Sequence, residues 1–126
     1  MKLGWLLSLN ALVALVYAVP AILVPGALYS FYGLTSTAGA QYVMQLYGSG
    51  LLMEAILVWL LRDVAPGTVR QALTLALFAQ AIVAFAATLM AQVGGVMNTL
   101  GWGIVVLLAI FVVGYGYFRF VRPDAA

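Results

Sequence analysis

Apolar positions along this chain come in four long, nearly unbroken runs, and polar positions collect in the breaks between them. The runs cover roughly 3–24, 41–61, 71–93 and 100–121. A bilayer core about 30 Å thick takes about 20 helical residues to cross, so each run predicts a membrane-spanning helix. The breaks carry helix stoppers, Pro25-Gly26, Pro66-Gly67 and Gly94-Gly95, which remove a donor or permit a left-handed turn. The pattern predicts an all-α protein: an integral membrane four-helix bundle, with 1–126 as one transmembrane domain. The break at 94–99 is short, so the third and fourth spans should be antiparallel neighbours.

Two irregularities refine this picture. Pro20 lies inside the first run and deprives the Val16 carbonyl of its partner, which predicts a kink or an early end. The segment 25–40 is the longest break, and its apolar residues Leu28, Phe31, Tyr32 and Leu34 fit one side of a short helix on the outer surface. Such a helix serves as an interfacial anchor or as a lid over an outward cavity.

Composition narrows the function classes. Hydrophobic residues make up 67% of the chain and charged ones 6%, against about 25% charged in soluble domains; with a mean hydropathy of +1.17, this leaves no room for a soluble domain. The opening "MKLGWLLSLNALVALVYAVPA" is similar to a signal peptide, but its apolar stretch is longer than such signals carry. Cysteine and histidine are both absent. Thiol redox chemistry, imidazole or thiolate metal sites and Ser-His or Cys-His nucleophiles are therefore excluded, and the expectation is no cofactor, no metal and no enzymatic activity.

The net charge of +2 reflects orientation more than an anionic macromolecule. Lys2, Arg62, Arg70, Arg119 and Arg122 all fall on one side of the predicted membrane, while 25–40 and 94–99 carry no charge. With an even number of spans, this bias puts both termini in the cytoplasm. A basic patch suited to nucleic acid is not present. Trp5 and Trp59 mark the inner boundary and Trp102 the outer one, and Tyr115, Tyr117, Phe118 and Phe120 read as an inner aromatic belt beside snorkelling arginines. In the same stretch, "VVGYGYF" differs by one letter from the TVGYG of potassium filters. Val112 replaces the filter threonine, and Arg119, Arg122 and Pro123 follow where a wall helix would be needed. Gly114 and Gly116 instead permit close helix approach.

Glu54 is the residue that most needs an explanation. It lies on the second span about 10 Å from the inner boundary at 1.5 Å per residue, where a carboxyl must face protein rather than lipid. Asp63 and Asp124 fall at edges. Asn10 and Gln80 come to about 10 to 14 Å from the same boundary, so three spans contribute polar side chains to one layer. Tyr47 and Gly50 share the Glu54 helix face. One reading is a proton-sensing or solute-binding carboxyl backed by amides; the other is polar glue, with Glu54 donating to Gln80 or Asn10, worth about 0.6 to 2 kcal/mol per bond. On the third span Ala72, Ala76, Ala84 and Thr88 join Gln80 and Gln92 in a small-and-polar stripe suited to close helix packing. Gln45, Ser49 and Glu54 also fit the wall of a cavity.

The order "LYSFYGLTSTAGAQ", then "YGSGLLMEAILVWLLRD", then "NTLGW" resembles small uncharacterised bacterial four-span membrane proteins that are DoxX-like in layout. That resemblance covers most of the chain and implies a multi-pass bundle in the bacterial inner (plasma) membrane, with no reaction and no catalytic residue to carry over. Small multidrug transporters are similar in length, span count and dependence on one buried glutamate. Theirs lies on the first span, whereas Glu54 lies on the second, and the one-sided basic bias here fixes a single orientation. The sequence thus predicts an accessory or structural subunit that packs against membrane lipid, another membrane protein or a second copy of itself. The alternative is a small proton-linked transporter, or a lipid- or small-molecule-binding protein, that uses Glu54 with Asn10, Gln80 and Tyr47.

Overall fold

The computed structural model describes residues 2–123, and Met1 and the edge residue Asp124 lie outside them. The described residues form α1 (Leu3–Leu23), α2 (Pro25–Phe31), α3 (Ala38–Leu61), α4 (Thr68–Val93) and α5 (Gly101–Gly116), with α5 continuing as a π-helical turn, Tyr117–Val121. Among them there is no strand. Four helices, Leu3–Leu23, Ala38–Leu61, Thr68–Val93 and Gly101–Val121, are long and apolar enough to cross a membrane.

Local chemistry sets where these helices stop. α1 runs past Pro20 to Leu23, and the Val24 N–H still reaches the Pro20 carbonyl at 2.9 Å. Pro25 then opens α2 at its first turn, where a missing N–H costs nothing because it would have no helical partner. α3 starts at Ala38, three residues ahead of its apolar run, because Thr37 Oγ1 accepts the Ala40 N–H at 3.1 Å and so satisfies an otherwise orphaned donor.

The connections that follow α2 and α4 end their helices in the same way. After α2, Gly33 takes φ +73° while Leu34 N–H bonds the Tyr29 carbonyl and Gly33 N–H that of Ser30. After α4, Gly95 takes φ +75° while Val96 N–H bonds Ala91 and Gly95 N–H bonds Gln92. Each is a Schellman cap, which requires a residue at ease with positive φ.

The bundle assembles as two antiparallel pairs. α1 packs along α3 and α4 along α5, and the pairs meet closely through α1 and α5. Gly48 lets α1 and α3 approach: a Cβ there would stand 2.9 Å from Ala21 Cβ and 3.3 Å from the Ala18 carbonyl. Gly114 does the same for α5 and α1, since its Cβ would lie 2.6 Å from Leu6 Cδ2. Leu6, Leu7, Leu77, Phe111 and Tyr115 form the core where the pairs converge. α3 and α4 do not pack closely on one another, and the resulting space holds the candidate site.

The inner aromatic belt needs correction. Tyr115 and Phe118 are buried in the core, while Tyr117 and Phe120 are exposed. Phe111, Tyr115 and Phe118 follow the i, i+4, i+7 spacing of one helix face, and that face points at α1. Proximity to Arg119 does not override the period.

Candidate functional site

Between the two helix pairs lies a cavity of about 270 Å³. Its walls are mostly aliphatic and aromatic, including Leu51, Leu77, Leu107 and Phe111, and all five helices contribute. Asn10, Glu54, Gln80 and Tyr47 all line it, as do Ala84 and Thr88, whereas Ala72 and Ala76 do not. Ala72 and Ala76 are exposed on the outer side of α4.

The polar groups are paired across helices. Gln80 Nε2 donates to Glu54 Oε2 at 2.7 Å, bridging α3 and α4 where their backbones stay apart. Glu54 is the acceptor in this bond and Gln80 the donor, the reverse of a donating carboxyl. Gln80 and Tyr47 are exposed and Glu54 is half-buried, so the bonded pair has a free side and remains open to a further partner. Asn10 is bonded elsewhere, through Nδ2 to the Tyr115 hydroxyl at 2.7 Å. That pair is fully buried and ties α1 to α5 at the floor of the cavity.

The far end is closed by the segment after α1. Leu28, Tyr29, Tyr32 and Leu34 line the cavity there together with Met97 from the opposite connection. The Tyr17 and Tyr32 hydroxyls are 2.6 Å apart and share a hydrogen bond. Burial first, and then the contact with Tyr17, hold the Tyr32 phenol above the usual tyrosine range. Asn98 clamps the closure: its N–H bonds the Tyr32 carbonyl at 2.9 Å, and its Nδ2 bonds the Phe31 carbonyl at 3.0 Å. The last carbonyls of α2, which lack helical partners, are thereby satisfied by the α4–α5 connection. Of the four residues expected on one side of the short helix, Leu28, Tyr32 and Leu34 face the cavity, and Phe31 is exposed.

Sequence reasoning did not find Tyr115, Tyr17 or Tyr32 as partners in this site. The heptad offset of Tyr17 from Asn10, and of Phe118 from Phe111, was the available signal; tyrosines near a membrane boundary are ordinarily assigned to the interface. Chemically, the site offers an apolar volume, a carboxyl with an amide beside it, and phenols at both ends. Among the described residues no cluster of acidic groups could hold a metal. No family model, no curated protein and no solved structure matches the chain.

Proposed function

We propose that this is a multi-pass membrane protein that holds a small, largely apolar molecule between its two helix pairs, with Glu54 and Gln80 recognising a polar group on it. The observation that carries this reading is the cavity reaching Glu54. A void of about 150 Å³ accepts benzene, so a volume of about 270 Å³ suits a one- or two-ring molecule or a short acyl chain. Apolar walls supply the affinity, and a few placed polar groups orient the ligand. Because α3 and α4 stand apart, the ligand enters sideways from the bilayer. In this reading the basic end faces the cytoplasm of a bacterium, as the gathering of Lys2, Arg62, Arg70 and Arg122 at one end supports.

The second reading is the accessory subunit with no catalysis of its own, favoured by the outer face of α4. Ala72, Ala76, Ala79 and Ala86 are exposed there, and small side chains let a neighbouring helix approach.

One experiment separates the two. The protein is extracted gently from its native membrane, sized, and analysed by mass spectrometry for both proteins and small molecules. Ligand binding predicts an apolar compound retained in stoichiometric amount, absent from Ala84→Phe, which fills the cavity, and reduced in Glu54→Gln. Recovery with an empty cavity and a larger assembly in fixed ratio overturns it in favour of the subunit.

A further inference from the structure

The basic end of the bundle carries a second cavity, about 760 Å³ and open to the surface, which shares no residue with the first. Lys2, Arg62, Arg70 and Arg122 line it, and Asp63 is the one carboxylate among its described lining residues. Asp63 is itself engaged, 3.5 Å from Arg62, with its side chain 81% exposed. Arg62 also stacks on Trp59, 3.6 Å from the ring centroid, and donates to the Trp59 carbonyl.

Arg70 is the residue that orientation alone does not explain. A cation that only marks the inner side of a membrane needs no burial, yet Arg70 is 9% exposed and its Nε has no hydrogen-bond partner. It also sits in the first turn of α4, where the helix dipole opposes a positive charge. Among the described residues no carboxylate pairs with Arg70; a buried charge without a counter-ion is strongly unfavourable, and Lys2 on the same cavity adds to the positive potential. Three unfavourable terms converge on one guanidinium that lines an open cavity, and an anion there would reverse all three.

We infer that this cavity binds a phosphate group, with Arg70 as its central ligand and Lys2 at its margin. The planar guanidinium fork matches phosphate oxygens, and Trp5 and Tyr117 on the same wall suit the boundary height at which phospholipid phosphates lie. The volume far exceeds one phosphate and leaves space for a glycerol headgroup. Two sources share this chemistry: an anionic phospholipid and a soluble phosphate.

The test uses the full chain in an uncharged detergent. Native mass spectrometry measures retention of phosphatidylglycerol against phosphatidylcholine, and phosphorus NMR measures line broadening of inorganic phosphate at constant ionic strength. Arg70→Gln should weaken binding by about tenfold, as expected for loss of a charge-assisted hydrogen bond. Arg119→Gln, at the same end but outside the cavity, should leave it nearly unchanged. Phosphatidylglycerol preference without phosphate broadening assigns a lipid headgroup, and broadening lost in Arg70→Gln assigns a soluble phosphate. Should Arg70→Gln fail to fold, Lys2→Gln, exposed at the margin, is expected to give a smaller loss in the same assay. Equal losses in the Arg70 and Arg119 variants, or neither lipid preference nor broadening, overturn the proposal.

Discussion

Tyr115 is 1% exposed, stacks on Phe111 with centroids 5.9 Å apart, and accepts its hydrogen bond from Asn10 inside the core. A buried amide left without a partner costs about 1–3 kcal/mol. Tyr115→Phe should therefore lower the unfolding free energy by about that amount, while the double change with Asn10→Leu should recover part of the loss; a thermal or denaturant double-mutant cycle in detergent measures both. Glu54 and Gln80 behave differently because one side of their bond is open. Glu54→Gln keeps an amide pair and should cost less than about 1 kcal/mol of stability, and any larger effect should appear in ligand retention. Tyr32 provides the pH dependence. Its folded-state pKa is raised, so its contribution is fully present below the unfolded value of about 10 and is lost as pH rises beyond it. Melting followed from neutral pH to above about 10 should show declining stability, with a shallower decline in Tyr32→Phe.

At the scale of elements, glycine placement decides which helices touch. A Cβ at Gly48 meets Ala21 and Ile22 at 2.9 Å and the Ala18 carbonyl at 3.3 Å, whereas a Cβ at Gly50 meets nothing within 4 Å. Short side chains and backbone cannot move aside, so Gly48→Ala should destabilise by about 1–3 kcal/mol through overpacking. Gly50→Ala gains helix propensity of up to about 1 kcal/mol and should be neutral or stabilising by the same thermal measurement. Gly48-Ser49-Gly50 is visible in sequence as a small-residue patch, but its two glycines are equivalent there. The helix face that meets α1 distinguishes them. The same limit applies to α4, where Ala72, Ala76, Ala84 and Thr88 form one stripe by spacing, yet Ala84 and Thr88 line the cavity and Ala72 and Ala76 face outward. A four-residue interval drifts around a helix with 3.6 residues per turn, so a long stripe does not stay on one face.

For the whole molecule, the division into two pairs matters most. The α1–α3 and α4–α5 pairs are joined at the floor of the cavity by Asn10 and Tyr115, midway by Glu54 and Gln80, and at the closed end by Asn98. Asn98→Ala removes the side-chain bonds to the Phe31 carbonyl and the Leu100 N–H. Amide hydrogen exchange should then rise across 25–34 with α3 unchanged, because the segment loses its clamp and keeps its own cap. The sequence by itself determined the four helices long and apolar enough to cross a membrane and the short helix after the first, and it singled out Asn10, Glu54 and Gln80, which all line one cavity. Each follows from period, length and the cost of a polar group in hydrocarbon, all local quantities. Only the tertiary structure decided that Asn10 pairs with Tyr115 rather than Glu54, that α3 and α4 stand apart around a cavity, and that Arg70 is buried at the basic end. Those outcomes depend on the rotation of each helix about its axis and on the pairing of helices distant in sequence, which hydrophobic runs of nearly uniform character leave open.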